Sequence, residues 1–256
     1  MKIGMFDSGI GGLTVLHTAI KMLPQEAYFY YADTDHVPYG TKSVEEIRRY
    51  SEEAVSFLES QGCDAVVIAC NTATSAAAAY LREKFTIPVI GIEPAVKPAV
   101  EHGGNKRILV IATPLTTREK KLHDLIERVD EAHQVDLLAL PELVGFAEQG
   151  IFESAEVDAY LKRALADIQP DMYETLVFGC THFNHFAKSL RKILGDTIQM
   201  IDGSEGTIRH LKHRMEAAGK QSEDCFSVEY FQSGRKVNDP ATLEFYQSLL
   251  KHLEEL

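Results

Sequence analysis

The chain has 256 residues, 45% of them hydrophobic and 25% charged, the composition of a folded globular protein long enough for one large domain or two small ones. Twenty-six Lys and Arg against 38 Asp and Glu leave a net charge of −12, the wrong sign for neutralising phosphates, which speaks against a nucleic-acid partner. The start, MKIGMFDSGIGG, has no signal-peptide core, and the uncharged stretch 65–81 is broken by Asn71, Thr72, Thr74 and Ser75; a cytoplasmic protein without a membrane segment is expected.

Short apolar runs rich in β-branched residues begin at 2–6, 27–32, 65–69 and 89–92 and continue at 107–111, 135–140, 175–178 and 198–201. Helical patterns such as 44–60, 119–129 and 157–168 separate them. The alternation predicts an α/β protein with largely parallel sheets, whose doubly covered strands read as continuous apolar runs. Residues His102, Gly103, Gly104 and Asn105 are the best candidate for a flexible junction between halves.

A weak internal repeat supports two halves. Ile3-Gly-Met-Phe-Asp-Ser8 lies over Ile108-Leu-Val-Ile-Ala-Thr113, Val66-Val-Ile-Ala-Cys-Asn71 over Leu176-Val-Phe-Gly-Cys-Thr181, and Ile87-Pro-Val-Ile-Gly-Ile92 over Ile198-Gln-Met-Ile-Asp-Gly203, at a nearly constant spacing. Two pseudo-symmetric α/β lobes are therefore expected, residues 1–96 with 209–256 forming the first and 97–208 the second. Ligands in open α/β sheets lie beyond the carboxyl ends of the strands, so the site is expected in a cleft between the lobes. Cys70 and Cys180 would face each other across it.

Four cysteines, Cys63, Cys70, Cys180 and Cys225, with no C-x-x-C pair, fit neither a disulfide framework nor a zinc ribbon. Cys180 with His182 supplies at most two ligands in one turn, so no metal is expected. Cys63 and Cys225 are taken as structural. Cys70 ends a predicted strand that runs straight into a helix, where free backbone N–H groups can lower a thiol pKa or receive a carboxylate. Phe178-Gly-Cys180-Thr181-His182 repeats the arrangement and adds an imidazole. Two thiols at pseudo-equivalent positions suit two acid/base groups, one on each face of a planar intermediate, which is the chemistry of racemisation. Each needs a partner to poise its proton. Asp7 and Ser8, at the end of the first strand, are candidates beside Cys70, and His182 beside Cys180. Helix capping is the plainer alternative for Asp7 and Ser8.

Gly9, Gly11 and Gly12 form a glycine-rich turn, but Thr14 stands where a dinucleotide fingerprint has its last glycine. Gly40-Thr-Lys-Ser43 imitates the end of a phosphate loop, yet Asp35 replaces its first glycine. No nucleotide cofactor is expected, and no lysine sits in a motif suited to pyridoxal phosphate.

Together, Asp7-Ser8-Gly9 with Gly11-Gly12-Leu13-Thr14, Pro38-Tyr39-Gly40, Cys70-Asn71-Thr72-Ala73, Gly179-Cys180-Thr181-His182-Phe183 and the tail from Ile201-Asp202 to Gly206-Thr207 resemble the glutamate racemases of the cofactor-independent aspartate/glutamate racemase family. The resemblance implies two α/β domains around the substrate, no cofactor, and proton transfer between L- and D-glutamate by two cysteines, supplying D-glutamate for peptidoglycan. It implies Cys70 as the base toward D-glutamate and Cys180 toward L-glutamate. Asp7, His182 and Glu148 would assist, and Ser8, Tyr39, Gly40, Asn71, Thr72, Thr113 and Thr181 would hold the carboxylates and amine. A homodimer is expected from the resemblance and from the prevalence of two-fold oligomers. Two stretches depart from the family pattern: Thr116-Thr-Arg-Glu119 is bulkier than usual, and Asn184 replaces a frequent proline. Both bear on side-chain specificity. The alternatives are a racemase for aspartate or another amino acid, and a non-catalytic binding protein for acidic amino acids.

Overall fold

The structure, a computed structural model, describes residues 1–220 and 226–256; Cys225 lies outside the described residues. Ten strands occur among them: β1 (Lys2–Asp7), β2 (Ala27–Ala32), β3 (Ala65–Ile68), β4 (Val89–Gly91), β5 (Arg107–Ala112), β6 (Val135–Ala139), β7 (Tyr173–Phe178), β8 (Gln199–Asp202), β9 (Ser227–Gln232) and β10 (Arg235–Lys236). They are joined by α1 (Leu13–Met22), α2 (Val44–Ser60), α3 (Asn71–Lys84), α4 (Val96–His102), α5 (Pro114–Arg118), α6 (Lys120–Val129), α7 (Leu143–Glu148), α8 (Ala155–Ala164), α9 (Ala187–Leu194), α10 (Ser204–Ala217) and α11 (Pro240–Glu254).

Local chemistry sets several of these boundaries. Ser43 and Glu46 form a reciprocal capping box at the start of α2, with Glu45 also in the first turn, which satisfies end N–H groups and complements the helix dipole. Ser154 caps α8, and Asp239 caps α11 ahead of Pro240, the helix position where a missing N–H costs least.

Two sheets result, ordered β10-β9-β2-β1-β3-β4 and β6-β5-β7-β8. The order β2-β1-β3-β4 in the first corresponds to β6-β5-β7-β8 in the second, and every pairing within these two sets is parallel. β1 thus corresponds to β5, β3 to β7 and β4 to β8, the three pairs that the internal repeat aligned. Register brings the carboxyl ends together, with Phe6 beside Ile68 in one lobe and Ile111 beside Phe178 in the other.

The pattern of continuous apolar runs misses β9 and β10. Ser-Val-Glu-Tyr-Phe-Gln of β9 mixes polar and apolar residues, and only Tyr230 and Phe231 are buried, because the strand lies toward the edge, between β2 and short antiparallel β10. The expected junction at 102–105 is also displaced. Ala95, Val96 and Ala99 pack with Ile108, Val110 and Val177 in the second lobe's core, so the chain crosses between sheets ahead of α4, and 102–105 is a loop within the second lobe.

One apolar cluster joins the lobes. It runs from Ile3, Met5 and Leu16 through Leu143, Phe183 and Phe186 to Leu109, Ile111 and Leu176. No helix among the described residues is long and apolar enough to cross a membrane.

Because this core is shared, chemical denaturation is expected to give one transition, coincident by far-UV circular dichroism and tyrosine fluorescence. Phe183→Ala, at a fully buried position, should destabilise the protein by about 3–5 kcal/mol and move both signals together. Two resolved transitions would contradict a common core.

Candidate active site

The two strand ends that carry cysteine meet one small cavity. It is lined by Ser8, Cys70, Asn71 and Thr72 from the first lobe and by Thr113, Cys180, Thr181 and His182 from the second, with the turn 38–40 along one side. Its volume is about 10 Å³, the space of roughly one water. Cys70 and Cys180 are both buried and free.

Cys70 caps α3, its sulfur accepting the Ala73 N–H at 3.4 Å. Its thiol donates to Ser8 Oγ at 3.7 Å, and the Ser8 hydroxyl donates to Asp7 Oδ1 at 3.4 Å. Asp7 is fully buried and also accepts from the Gly9 N–H at 3.0 Å and from Thr181 Oγ1 at 3.1 Å. It does not cap α1, whose N-cap is Gly12 with no side-chain bond. Burial raises the Asp7 pKa to about 6 against the opposing pull of His182 and the Gly9 N–H. Burial first, and then the nearby Asp7 charge, push the Cys70 thiol well above the usual thiol range.

The second side is wired differently. After Cys180 the chain makes a 3-10 turn, Thr181–Phe186, before α9 begins, where the sequence suggests the same strand-to-helix step as at Cys70. At three residues per turn Phe183 and Phe186 fall on one side, and both are fully buried. The turn brings His182 Nδ1 to 3.8 Å from Cys180 Sγ, while Nε2 pairs with Glu148 Oε1 at 2.6 Å. Burial would lower the His182 pKa, but the bonds to Cys180 and Glu148 raise it well above the ordinary value. A cationic ring therefore stands between a carboxylate and a thiol.

Glu148 ends α7 and accepts the Ile10 N–H at 2.8 Å. The glycine-rich turn thus has a steric purpose. A Cβ on Gly9 would lie 1.9 Å from Glu148 Oε1, one on Gly11 2.5 Å from both His182 Nδ1 and Thr181 Oγ1, and one on Gly12 2.5 Å from Asp7 Cβ. Backbone is laid directly on the site, where no side chain fits.

Three hydroxyls cross the cleft. Thr72 Oγ1 is 3.1 Å from Thr113 Oγ1 and 3.4 Å from Thr116 Oγ1, and Thr113 Oγ1 donates to Thr116 Oγ1 at 3.0 Å. Asn71 Oδ1 is buried without a protein partner, an unsatisfied acceptor at the cavity wall. Tyr39 is buried but turns its hydroxyl to Asp33 Oδ2 at 2.6 Å, while Gly40 approaches Thr113 closely.

All twelve residues singled out from the sequence fall in or against this one site. Thr116 joins them, unrecognised because its stretch reads only as bulky and charged; its spacing of one helical turn from Thr113, the N-cap of α5, was the available signal. Pro38 and Val144 also line the cavity, with no polar pattern to mark them. Among the described residues no group of three or more His, Cys, Asp or Glu converges as metal ligands. Thiols from opposite lobes, each with its own proton partner, can take a proton from one face of a bound carbon acid and return one to the other.

Two like α/β lobes meet at a site that carries one buried thiol from each, the architecture of a class of two-lobed α/β proteins. The chain matches the family described as Asp/Glu/Hydantoin racemase over residues 13–211 and belongs to it. It is 48% identical over 262 residues to a glutamate racemase of Lachnospira eligens, covering 100% of this chain and 99% of that protein. Its fold is similar to glutamate racemase isoform RacE1 of Bacillus anthracis, with TM-score 0.81 and 33% identity over 90% of this chain and 87% of that one. It is also similar to Escherichia coli glutamate racemase in complex with L-glutamate and the activator UDP-MurNAc-Ala, with TM-score 0.84 and 29% identity over 98% and 94% of the two chains.

Asp7 has a folded pKa of about 6 against an ordinary 3.8. The folded state thus binds the proton more tightly than the unfolded chain, so this group's contribution to stability is greatest below about pH 4 and falls as pH rises through 6. Asp7→Asn is expected to be more stable than the parent at pH 8, by on the order of 2–3 kcal/mol, with the advantage vanishing near pH 4. Urea denaturation at the two pH values measures it; an equal difference at both would contradict the buried, strained carboxylate.

Proposed function

We propose that this chain is a glutamate racemase, interconverting L- and D-glutamate by a two-base reaction of Cys70 and Cys180 that uses no cofactor. The observation that carries the proposal is the convergence of one thiol from each lobe on a single cavity, each wired to its own partner. In the direction from D-glutamate, Cys70 removes the α-proton and Cys180 supplies one to the opposite face; from L-glutamate the roles exchange. The Cys70 proton passes through Ser8 toward Asp7, whose pKa burial raises to about 6. His182, held by Glu148, poises Cys180.

The carbanion that forms needs donors and a dry site. The N–H groups at the start of α3 and at the turn after Cys180, with the hydroxyls of Thr72, Thr113 and Thr181, suit the substrate's carboxylates. Local donors let an acidic protein bind a dianion. The unpartnered Asn71 Oδ1 suits the ammonium group. A cavity of one water's size requires the lobes to part for substrate to enter. The moving parts are the expected lobes, 1–96 with 209–256 against 97–208, with the crossings drawn ahead of α4 and nearer Gly203, since Ala95 and Val96 pack in the second lobe's core and α10 packs on α1 and β4. The resemblance behind this reading also carries a cytoplasmic location, a peptidoglycan role and a homodimer.

The test is proton NMR of L- and then D-glutamate in D2O with the enzyme, alongside optical rotation. Loss of the α-proton signal with decay of rotation to zero is expected from either enantiomer. Cys70→Ser and Cys180→Ser should each lower turnover at least about 10²-fold in both directions, since each direction uses both thiols. Near-native turnover in either variant, or no exchange from either enantiomer by the parent, would overturn the proposal.

A further inference from the structure

A buried carboxylate outside the cavity accounts for the placement of one cavity wall. Asp33 follows β2 and is 2% exposed. Its oxygens accept from Tyr39 Oη at 2.6 Å, from Ser233 Oγ at 2.9 Å, and lie 2.9 and 3.0 Å from His36 Nδ1. Its own N–H donates to the Asp7 carbonyl at 2.9 Å, which ties it to the strand that ends in the site.

The bonds to His36 and Tyr39 hold the segment leading into the turn 38–40, while those to Ser233 and Asp7 anchor Asp33 itself. The His36 and Val37 N–H groups fold back to the Asp33 carbonyl, and His36 stacks on Tyr50 with ring centroids 3.7 Å apart. The Tyr39 ring sits between Phe6 and Tyr50. Tyr39 is only 1% exposed, and a buried donor without an acceptor is costly. The Asp33 bond therefore fixes the tyrosine ring, and the ring fixes the backbone of Pro38 and Gly40. That backbone lines the cavity with Cys70 and bears on Thr113 of the opposite lobe.

We propose that Asp33 is a positioning residue: its carboxylate clamps the Tyr39 hydroxyl and holds the turn 38–40 closed over Cys70 in the geometry that substrate meets. The proposal rests on the racemase reading for its kinetic consequence, and on the geometry alone for its effect on Cys70. A clamped wall presents its contacts without an ordering cost at binding, so its loss should appear mainly in KM. It also shields the thiol, so its loss should admit a small alkylating agent.

Asp33→Ala, Tyr39→Phe and the double variant separate these effects. In full-length enzyme, each single change should raise KM for glutamate about tenfold, equivalent to about 1.4 kcal/mol, while kcat stays within about threefold. The double variant should be no worse than Asp33→Ala, because Asp33→Ala already takes away the acceptor of the Tyr39 hydroxyl and Tyr39→Phe removes only that same bond. Alkylation of Cys70 by iodoacetamide, followed by peptide mass mapping, should quicken about fivefold or more in both singles, with buried Cys63 unchanged as the internal control. If the parent enzyme does not racemise glutamate, the functional reading fails and the alkylation rates still test the clamp. The clamp is overturned if Cys70 reacts no faster, if Cys63 quickens in step with Cys70 through general loosening, or if the KM effects add in the double variant.

Discussion

Between Gly9 and Glu148 there is no room for a methyl group, and the same holds between Gly11 and His182 and between Gly12 and Asp7. This contact of bare backbone with Glu148 and His182 of the other lobe, and with Asp7 of its own, is what the site depends on. It lets the Ile10 N–H reach Glu148, which holds His182 beside Cys180. The Tyr30 hydroxyl donates to the Gly9 carbonyl at 2.6 Å, and Thr14 Oγ1 donates to the Thr181 carbonyl at 3.1 Å, so the loop is tied on both flanks. A side chain on Gly9 or Gly11 would displace Glu148 or His182, and for the proposed two-thiol reaction displacements near 1 Å cost on the order of 10²-fold.

The two thiols are equivalent in topology and different in company. Cys70 closes β3 and opens α3, with a hydroxyl relay to a carboxyl group that titrates near pH 6. Cys180 closes β7 and opens a 3-10 turn beside a cationic imidazole. Thr181 joins the two systems, since it neighbours Cys180 and donates to Asp7. Asp7 therefore feels charge on both sides, through the opposing effects of His182 and Glu148. A near-symmetric fold thus carries an asymmetric electrostatic site, which suits the proposed reaction, whose two directions differ in which thiol begins protonated.

The cavity's small volume follows from the same construction. One apolar cluster reaches into both lobes, and the hydroxyl residues Ser8, Thr72, Thr113 and Thr181 with the turn 38–40 close the remaining space. Polar groups in such an enclosure interact strongly when paired and are costly when not. Asn71 Oδ1 is the exception within the wall, as a buried acceptor that the protein itself leaves unsatisfied.

Much of this was legible in the sequence because it is local. Continuous apolar runs mark buried parallel strands whatever surrounds them, and the alignment of the two halves already paired β1 with β5, β3 with β7 and β4 with β8. Cysteine at a strand end followed by small, hydrogen-bonding residues marked both thiols, and Asp7, Ser8 and His182 were found by adjacency to strand ends. Strand β9, next to the edge strand β10, escaped because half-exposed strands do not read as apolar runs. Glu148 has no local signature, and its place came from resemblance alone. Its bonds span 138 residues to Ile10 and 34 to His182, so only folding brings them together. The purpose of the glycines, the Thr116 hydroxyl and the bond from Asp33 to Tyr39 were likewise decided by tertiary structure. Each depends on which groups meet across the cleft, and a linear pattern carries no distance between elements that are far apart in the chain.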